Sequence, residues 1–282
     1  MRSLLFAVML LLVSAAPTTQ PRTVRVAVIG GMSETGLWDQ LSEQFEKQTG
    51  IQVQTVATGP KDGITSVYSQ GGIDLITMHS SDTIINLVAD GWASDPQPWA
   101  RNDMVIVGPE SDPAGVKGMT DAAAALRKIV AARAPFVVHS SLGAQEVLRD
   151  ILQHADISLD ADHTTVLLDD KQRRVLKIAA EKGAYTLVGR IPFHSGKIPN
   201  AAMAVMVQGD PRLRRPYVLA TADPRRVAGA HVSEARELAD FLRSPATQQL
   251  LAEFGRGKYD DQPLFFPVTP TRPASALQVS GD

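Results

Sequence analysis

The chain has 282 residues, 44% of them hydrophobic and 21% charged, which is the composition of an ordinary globular protein. A formal net charge of −2 and a sequence pI of about 6.3 give no basic excess, so no nucleic acid partner is expected. The chain has no cysteine, which excludes disulfides, thiolate metal sites and thiol catalysis.

The N-terminus has the features of a cleavable signal peptide. Arg2 supplies a positive charge, residues 3–13 form a short apolar run, and small residues follow, so cleavage is expected after Ala15. The run is well short of the roughly 20 apolar residues that a membrane span needs, and no other segment is suitable. No cysteine lies near the cleavage point for lipid attachment. The sequence therefore predicts a periplasmic or secreted protein that is not inserted in a membrane after signal removal.

Apolar periodicity predicts alternating strands and helices along the rest of the chain. The first strand covers residues 24–29, and Gly30 and Gly31 break it before a helix that carries Leu37, Trp38 and Phe45 and ends at Gly50. The other predicted strands cover residues 51–56, 73–78, 104–107, 136–138, 164–168, 184–188, 202–207 and 217–222. The other predicted helices cover residues 61–70, a segment capped by Ser81, a segment from Thr120 to near Arg133, and residues 144–153, 171–182, 233–243 and 246–254.

This alternation predicts an α/β fold with mostly parallel sheets and flanking helices. The number of strands is large for one sheet, so we expect two lobes joined by a hinge. After Gly255 the chain is polar and rich in proline, which is typical of an extended segment. We expect Leu264, Phe265 and Phe266 to dock on the protein and residues 267–282 to form a flexible tail.

Candidate binding residues lie where predicted strands end. Ligands of open parallel sheets bind beyond the carboxyl ends of the strands, beside helix N-termini that favour anions. Four loops occupy such positions, at residues 30–35, 58–60, 139–141 and 169–174. Glycines in the first loop allow close backbone approach, and the third loop offers His139 with two hydroxyls. An ordinary capped turn explains both patterns as well, so the two interpretations stay open.

Other polar clusters are weaker candidates. Lys171, Arg173 and Arg174 open a predicted helix, where the dipole disfavours cations, so either a bound anion or solvation accounts for them. Five arginines beside prolines are expected to be solvated: Arg212, Arg214, Arg215, Arg225 and Arg226. Residues 79–82 contain the residue types of a hydrolase triad, but no G-x-S-x-G motif is present. The histidines lack metal-ligand spacing, so no metal or cofactor is expected.

Five longer segments have specific sequences: residues 78–92, residues 102–135, F-E-K-Q-T-G-I at 45–51, I-A-A-E-K-G-A-Y-T-L at 178–187 and V-Q-G-D-P at 207–211. Together they resemble the tungstate-type substrate-binding proteins of ABC importers. The resemblance implies a non-enzymatic, monomeric periplasmic binding protein of type II that holds a small oxyanion, such as tungstate or molybdate, between two lobes and delivers it to an ABC permease. It also implies that lobe one is formed by residues 24–103 and 217–266, and lobe two by residues 104–216.

The resemblance implies a set of ligand residues. They are Gly30, Gly31, Ser33, Thr58, His139, Ser140, Ser141 and Arg190. The hydroxyl run that follows the first strand in the family falls on residues 28–31 here, and His139 stands where the family has an arginine. If a protonated His139 replaces that charge, binding should strengthen as the pH falls. The alternatives are the same fold acting as a receptor or scavenger for another ligand, and a secreted hydrolase that uses His139 with a serine.

Overall fold

A computed structural model describes residues 22–168, 174–199 and 202–268. Ten strands lie in these ranges: β1 (Thr23–Ile29), β2 (Gln52–Gly59), β3 (Leu75–His79), β4 (Ala93–Pro109), β5 (Phe136–His139), β6 (Thr164–Leu167), β7 (Tyr185–Gly189), β8 (Met203–Val207), β9 (Arg214–Ala222) and β10 (Phe266–Pro267). The helices are α1 (Gly30–Glu34), α2 (Leu37–Thr49), α3 (Lys61–Tyr68), α4 (Asp82–Ala89), α5 (Ala122–Ala131), α6 (Leu142–His154), α7 (Val175–Glu181), α8 (Arg190–His194), α9 (Val232–Arg243) and α10 (Pro245–Glu253). The predicted signal peptide, Lys171 and Arg173 lie outside the described residues.

The strands form a mixed sheet in the order β2-β1-β3-β9-β4-β7-β5-β6. β1 pairs in parallel with β2 and β3, and β5 pairs in parallel with β6 and β7. β9 runs antiparallel between β3 and β4, and β4 is also antiparallel to β7, β8 and β10. The sheet is therefore less parallel than the sequence predicts, because β9 returns in the opposite direction through the centre.

The 17-residue strand β4 joins two halves of this sheet. Its first part, as far as Asp103, pairs with β9, and its second part, from Met104, pairs with β7 and β8. The sequence predicted only residues 104–107, because Pro96 and Pro98 interrupt the strand pattern before them. Register shifts between β4 and β9 at these prolines let the strand continue as irregular pairing.

The hydrophobic core is divided along β4. Trp38, Phe45 and Trp99 belong to one cluster, which packs β1, β3 and β9 against their helices. Two further clusters cover the faces of β4, β5 and β7 in the other half, with Tyr185 in one and Val105 in the other. Trp99 is fully buried, and its indole N–H donates to Thr77 Oγ1 at 2.8 Å. Each half of the sheet thus has its own packed interior.

Element boundaries differ from the sequence predictions at three helices. Residues 30–34, predicted as a loop, form the one-turn helix α1. The cap of α5 is Asp121 rather than Thr120, because the Asp121 carboxylate accepts the Ala124 N–H at 2.8 Å. Helix α7 begins at Val175, four residues after the predicted start.

The segment after α10 packs on the first half of the sheet. Leu264, Phe265 and Phe266 are buried, as predicted. Pro267 pairs with Ala100 of β4, and the Val268 N–H donates to Gln248 Oε1 at 2.8 Å. Pro267 and Val268, which belong to the predicted tail, therefore pack on the protein. No helix in the described ranges has the length and hydrophobicity to cross a membrane.

Gly108 on β4 supports a stability prediction. A Cβ at this position would lie 2.5 Å from a ring carbon of the buried Tyr185, so Gly108→Ala should lower the free energy of unfolding by about 1–3 kcal/mol. Gly63 in α3 is the control, because a Cβ there meets nothing closer than 3.9 Å. Gly63→Ala should be neutral or stabilise by up to about 1 kcal/mol. Urea unfolding of both variants tests this, and equal effects would contradict it.

Candidate functional site

A cleft of about 470 Å³ lies between the two halves of the sheet. Four strands end at it: β1 at Ile29, β2 at Gly59, β3 at His79 and β7 at Gly189. The loop after β5 contributes Ser141 from the opposite side. The cleft therefore lies where the carboxyl ends of strands from both halves meet, as the topology predicts for a ligand site.

Two basic side chains dominate the charge of the cleft. Arg215 lines both the main cleft and an adjoining compartment of about 330 Å³, and Lys61 lines that compartment. Their side chains are only 13% and 11% exposed. Burial lowers the pKa of both groups; the neighbouring Arg215 also lowers that of Lys61, whereas Glu146 raises it. The two cations thus lie close together with little water to solvate them.

Glu146 is the carboxylate that lies within 4 Å of both cations. Glu146 Oε1 is 3.8 Å from Lys61 Nζ, and Oε2 is 3.7 Å from Arg215 Nη2. These distances exceed the roughly 2.7–2.9 Å of a charge-assisted hydrogen bond. The Lys61 ammonium is buried without a hydrogen-bond partner, and so is the Ser140 hydroxyl. The compartment is lined by three cations, Lys61, Lys197 and Arg215, and by one carboxylate, Asp62. Together with the unpaired Lys61 ammonium and Ser140 hydroxyl, this excess of positive charge favours an anion.

Packing around Gly143 holds the Arg215 guanidinium in place. A Cβ on Gly143 would lie 2.4 Å from Arg215 Nη1, so only glycine leaves room for the guanidinium there. Helix α6, which carries Gly143, also carries Glu146. The same helix thus provides both the space for the cation and its counter-charge.

A neutral aromatic pair forms the floor of the cleft. The rings of His79 and Tyr217 stack with centroids 4.1 Å apart. His79 Nε2 lies 3.2 Å from Asn102 Oδ1, so this nitrogen carries the ring proton. Burial, assisted by Arg215, lowers the pKa of His79 well below its usual value. The ring is therefore uncharged at neutral pH.

An ion pair crosses the mouth of the cleft. Lys197, which follows α8 in the second half, donates to Glu34 of α1 in the first half. Both residues line the cleft. A second ion pair, between Lys61 of α3 in the first half and Glu146 of α6 in the second half, also joins the two halves.

Six of the predicted ligand residues lie at or beside the cleft. Gly30, Gly31 and Ser141 line it, and Ser140 lines the adjoining compartment. The hydroxyls of Ser33 and Thr58 lie 3.2 Å apart at the ends of α1 and β2, outside the residues that line the cleft. The two first-half loops and the loop after β5 therefore converge.

His139 has a different environment from the one predicted. Its side chain is buried and lies outside the residues that line the cleft, with Nε2 2.9 Å from the Leu187 carbonyl oxygen. The Ser141 N–H points to Nδ1 at 3.4 Å. Nε2 is placed to donate to the Leu187 carbonyl oxygen, and Nδ1 faces the Ser141 N–H. This arrangement does not favour a protonated His139 as the anion-binding charge, nor a base that activates Ser140.

Arg190 is fully buried away from the cleft. Its guanidinium donates to Asp260 and, at 2.8 Å, to the Pro263 carbonyl oxygen, and it lies 3.8 Å from Asp103 Oδ1. It thus ties the end of β7 to the C-terminal segment and to the crossing point of β4. In this position the Arg190 guanidinium contacts protein groups and lies outside the residues that line the cleft.

The principal cations of the cleft were not predicted as site residues. Lys61 is the first residue of α3, where the helix dipole disfavours a cation. The same argument was applied to residues 171–174 but not to Lys61. Arg215 was expected to be solvated, but its side chain is only 13% exposed. By contrast, the Arg225 side chain is 88% exposed, as expected. Among the described residues, no group of three or more His, Cys, Asp and Glu side chains is placed to hold a metal ion.

Two α/β halves facing a cleft across a continuous strand define the class of periplasmic binding proteins. The model of the family described as bacterial extracellular solute-binding protein matches residues 24–256. The chain belongs to this family.

Characterised relatives agree with this assignment. A tungstate-binding protein from Peptoclostridium acidaminophilum is 27% identical over 248 residues, which cover 87% of this chain and 85% of the relative. The solved tungstate-binding protein from Desulfovibrio alaskensis G20 superposes with a TM-score of 0.74 at 28% identity, covering 88% of this chain and all of the other. The tungstate ABC transporter structure from Geobacter sulfurreducens gives a TM-score of 0.66 at 24% identity over 82% of this chain and 98% of that one, and supports the fold.

Proposed function

We propose that this protein captures an oxyanion in the cleft and delivers it to an ABC permease for import. The observation that carries the proposal is the pair of buried cations, Lys61 and Arg215, which share one carboxylate at 3.7–3.8 Å. An anion that approaches within hydrogen-bond distance would satisfy both cations and the Ser140 hydroxyl. The names of the tungstate-binding relatives support an oxyanion as the ligand class.

The proposed contacts combine residues predicted from the sequence with the two cations that the structure adds. Lys61, Arg215, Ser140 and Ser141 provide charge and hydroxyl groups, and Gly30 and Gly31 at the start of α1 allow close backbone approach. Ser33 and Thr58 then support the rim of the cleft. His139 and Arg190 act on the ligand indirectly, by holding the loop after β5 and the end of β7.

A hinge between the two halves is part of the proposal. Ligand that contacts residues from both halves favours the conformation in which they are close. We infer that the described halves close on the oxyanion as a monomer in an extracytoplasmic compartment, after removal of residues 1–15. Small-angle scattering should then give a smaller radius of gyration with saturating ligand.

A thermal-shift panel tests the ligand class. Tungstate, molybdate, sulfate, phosphate and organic acids are compared with neutral sugars at pH 7.5. An anion present at 100 times its dissociation constant should add roughly 2.7 kcal/mol to the stability of the folded state. If neutral solutes raise the melting temperature and none of the anions does, the protein binds another ligand as a receptor or scavenger.

Glu146→Gln should increase oxyanion affinity. The carboxylate is the competing negative charge beside the two cations, and glutamine keeps its shape without its charge. We expect affinity to rise by about 5-fold to 10-fold, which corresponds to about 1 kcal/mol of relieved repulsion. Calorimetric titration of the variant measures this. The control is Glu43→Gln on the exposed face of α2, and weaker binding by Glu146→Gln would contradict the assignment.

A further inference from the structure

The cleft has a cationic end and an apolar end. Lys61 and Ser140 line only the adjoining compartment, and Arg215 stands at its junction with the main cleft. The rest of the main cleft is lined mostly by apolar groups, among them Met104, Ile191 and Pro192. Its other charged side chains, Lys197 and Glu34, pair with each other. A small inorganic oxyanion held by the cations would leave this apolar wall without a partner.

The size of the cleft also exceeds the needs of a small inorganic anion. Its main part measures about 470 Å³ even though ion pairs already span it between Lys197 and Glu34 and between Lys61 and Glu146. Pockets that hold organic ligands are typically about 300–1,000 Å³ and are largely apolar with a few placed polar groups. The volume and the separation of charge from apolar surface therefore fit a ligand with two chemically different ends.

The floor between the two ends is uncharged. His79 carries its proton on Nε2 towards Asn102 and stacks on Tyr217. Tyr217 is fully buried, so the partly exposed His79 ring is the face of this pair that a ligand can reach. An uncharged ring favours an apolar group over a second anionic group.

We propose that the ligand is an organic anion, with its oxoacid group at Lys61, Arg215 and Ser140 and an apolar body against Met104, Ile191 and Pro192. The proposal rests on the oxyanion function proposed above and specifies what carries the oxyanion. The acid group is a carboxylate, sulfonate or phosphonate, since each presents the oxygen acceptors that the two cations require.

Matched anions test the proposal by calorimetric titration of the purified protein at pH 7.5. Phenylphosphonate is compared with phosphate, and benzoate with acetate. We expect the aryl member of each pair to bind about 10-fold to 100-fold more tightly, because its ring is removed from water on the apolar wall. Phosphate or tungstate binding as tightly as phenylphosphonate would overturn the proposal and leave the oxyanion function intact. If no anion of either kind binds, the oxyanion function itself fails.

A chain-length series gives a second measurement that needs no variant. Methyl-, propyl- and pentylphosphonate share one acid group and differ in apolar area. Each added methylene should tighten binding about fourfold until the wall is covered. A flat series would contradict an apolar subsite. In Ile191→Thr the gain from the alkyl chain should shrink while phosphate affinity is unchanged, whereas equal loss for phosphate and pentylphosphonate would place Ile191 outside the subsite.

Discussion

Replacing Arg215 by methionine is expected to weaken oxyanion binding by about 10-fold to 100-fold while the fold is kept. A hydrogen bond to a charged group contributes roughly 1.5–3 kcal/mol, and each 1.4 kcal/mol is about one decade in affinity. Methionine preserves much of the buried stem and removes the charge, and burial of Arg215 already weighs against its charged form. The free protein should therefore lose little stability.

Titration of the same anion into wild type, Arg215→Met and Lys61→Met measures the effect. Arg236→Met is the matched control, because Arg236 is exposed on α9. Both cleft variants should bind more weakly and the control should match wild type. Wild-type affinity in Arg215→Met would show that the anion binds elsewhere.

The two carboxylates beside Arg190 are expected to affect stability in opposite directions. Burial raises the pKa of Asp103 to about 6, although the charges of Arg190 and Arg214 oppose the shift. Burial also acts on Asp260, but hydrogen bonds from Arg190 and from the Gln262 N–H outweigh it and lower the pKa of this carboxyl. Asp103 Oδ1 has no hydrogen-bond partner, which agrees with a raised pKa for Asp103 and a lowered pKa for Asp260.

The sign for Asp103 follows from proton binding. Between an unfolded pKa of about 3.9 and a folded pKa of about 6, the folded protein holds more protons, so the free energy of unfolding falls as the pH rises through this window. Asparagine does not ionise. Asp103→Asn should therefore match wild type near pH 4 and be more stable by roughly 3 kcal/mol at pH 7.5.

Asp260→Asn should behave in the opposite way. A lowered carboxyl pKa contributes stability above the unfolded value, and that contribution is lost as the pH falls through the folded value. The variant should be less stable than wild type by about 1.5–3 kcal/mol at pH 7.5, with a smaller difference in acid. Urea unfolding at pH 4, 5.5 and 7.5 measures both variants. Destabilisation by Asp103→Asn at pH 7.5 would contradict the burial argument.

Most elements of the fold could be predicted from apolar periodicity. The alternation in β1 and the helical spacing in α2 depend on local sequence, and both elements form where expected. The first part of β4 could not be predicted, because its prolines are tolerated only through irregular pairing with β9. The sequence also predicted more parallel pairing than the sheet contains. The direction of β9 depends on contacts with β3, which is distant in sequence, and local patterns do not reveal it.

The site was predicted at the level of loops but not of its charges. Strand ends must converge in this topology, so Gly30 and Ser141 could be placed from the pattern alone. Lys61, Glu146 and Arg215 are widely separated in sequence, and their burial exists only after the halves pack. The resemblance predicted Arg190 as a ligand residue because its local motif is intact. Its guanidinium instead binds Asp260, 70 residues later in the chain, and local sequence does not reveal that contact.

The pairing of β3 with β9 has a consequence for when this protein can fold. Leu75 lies opposite Thr221, and the same half of the sheet is closed by Leu264 and Phe265 near the end of the described chain. Contacts of such long sequence separation form slowly, because the loop between them must be ordered first. β1, β2 and β3 can pair with one another early, but this half of the sheet is complete only when β9 and the segment near Leu264 are present. The last step in assembling the first half is therefore the docking of a segment that follows both halves in the sequence.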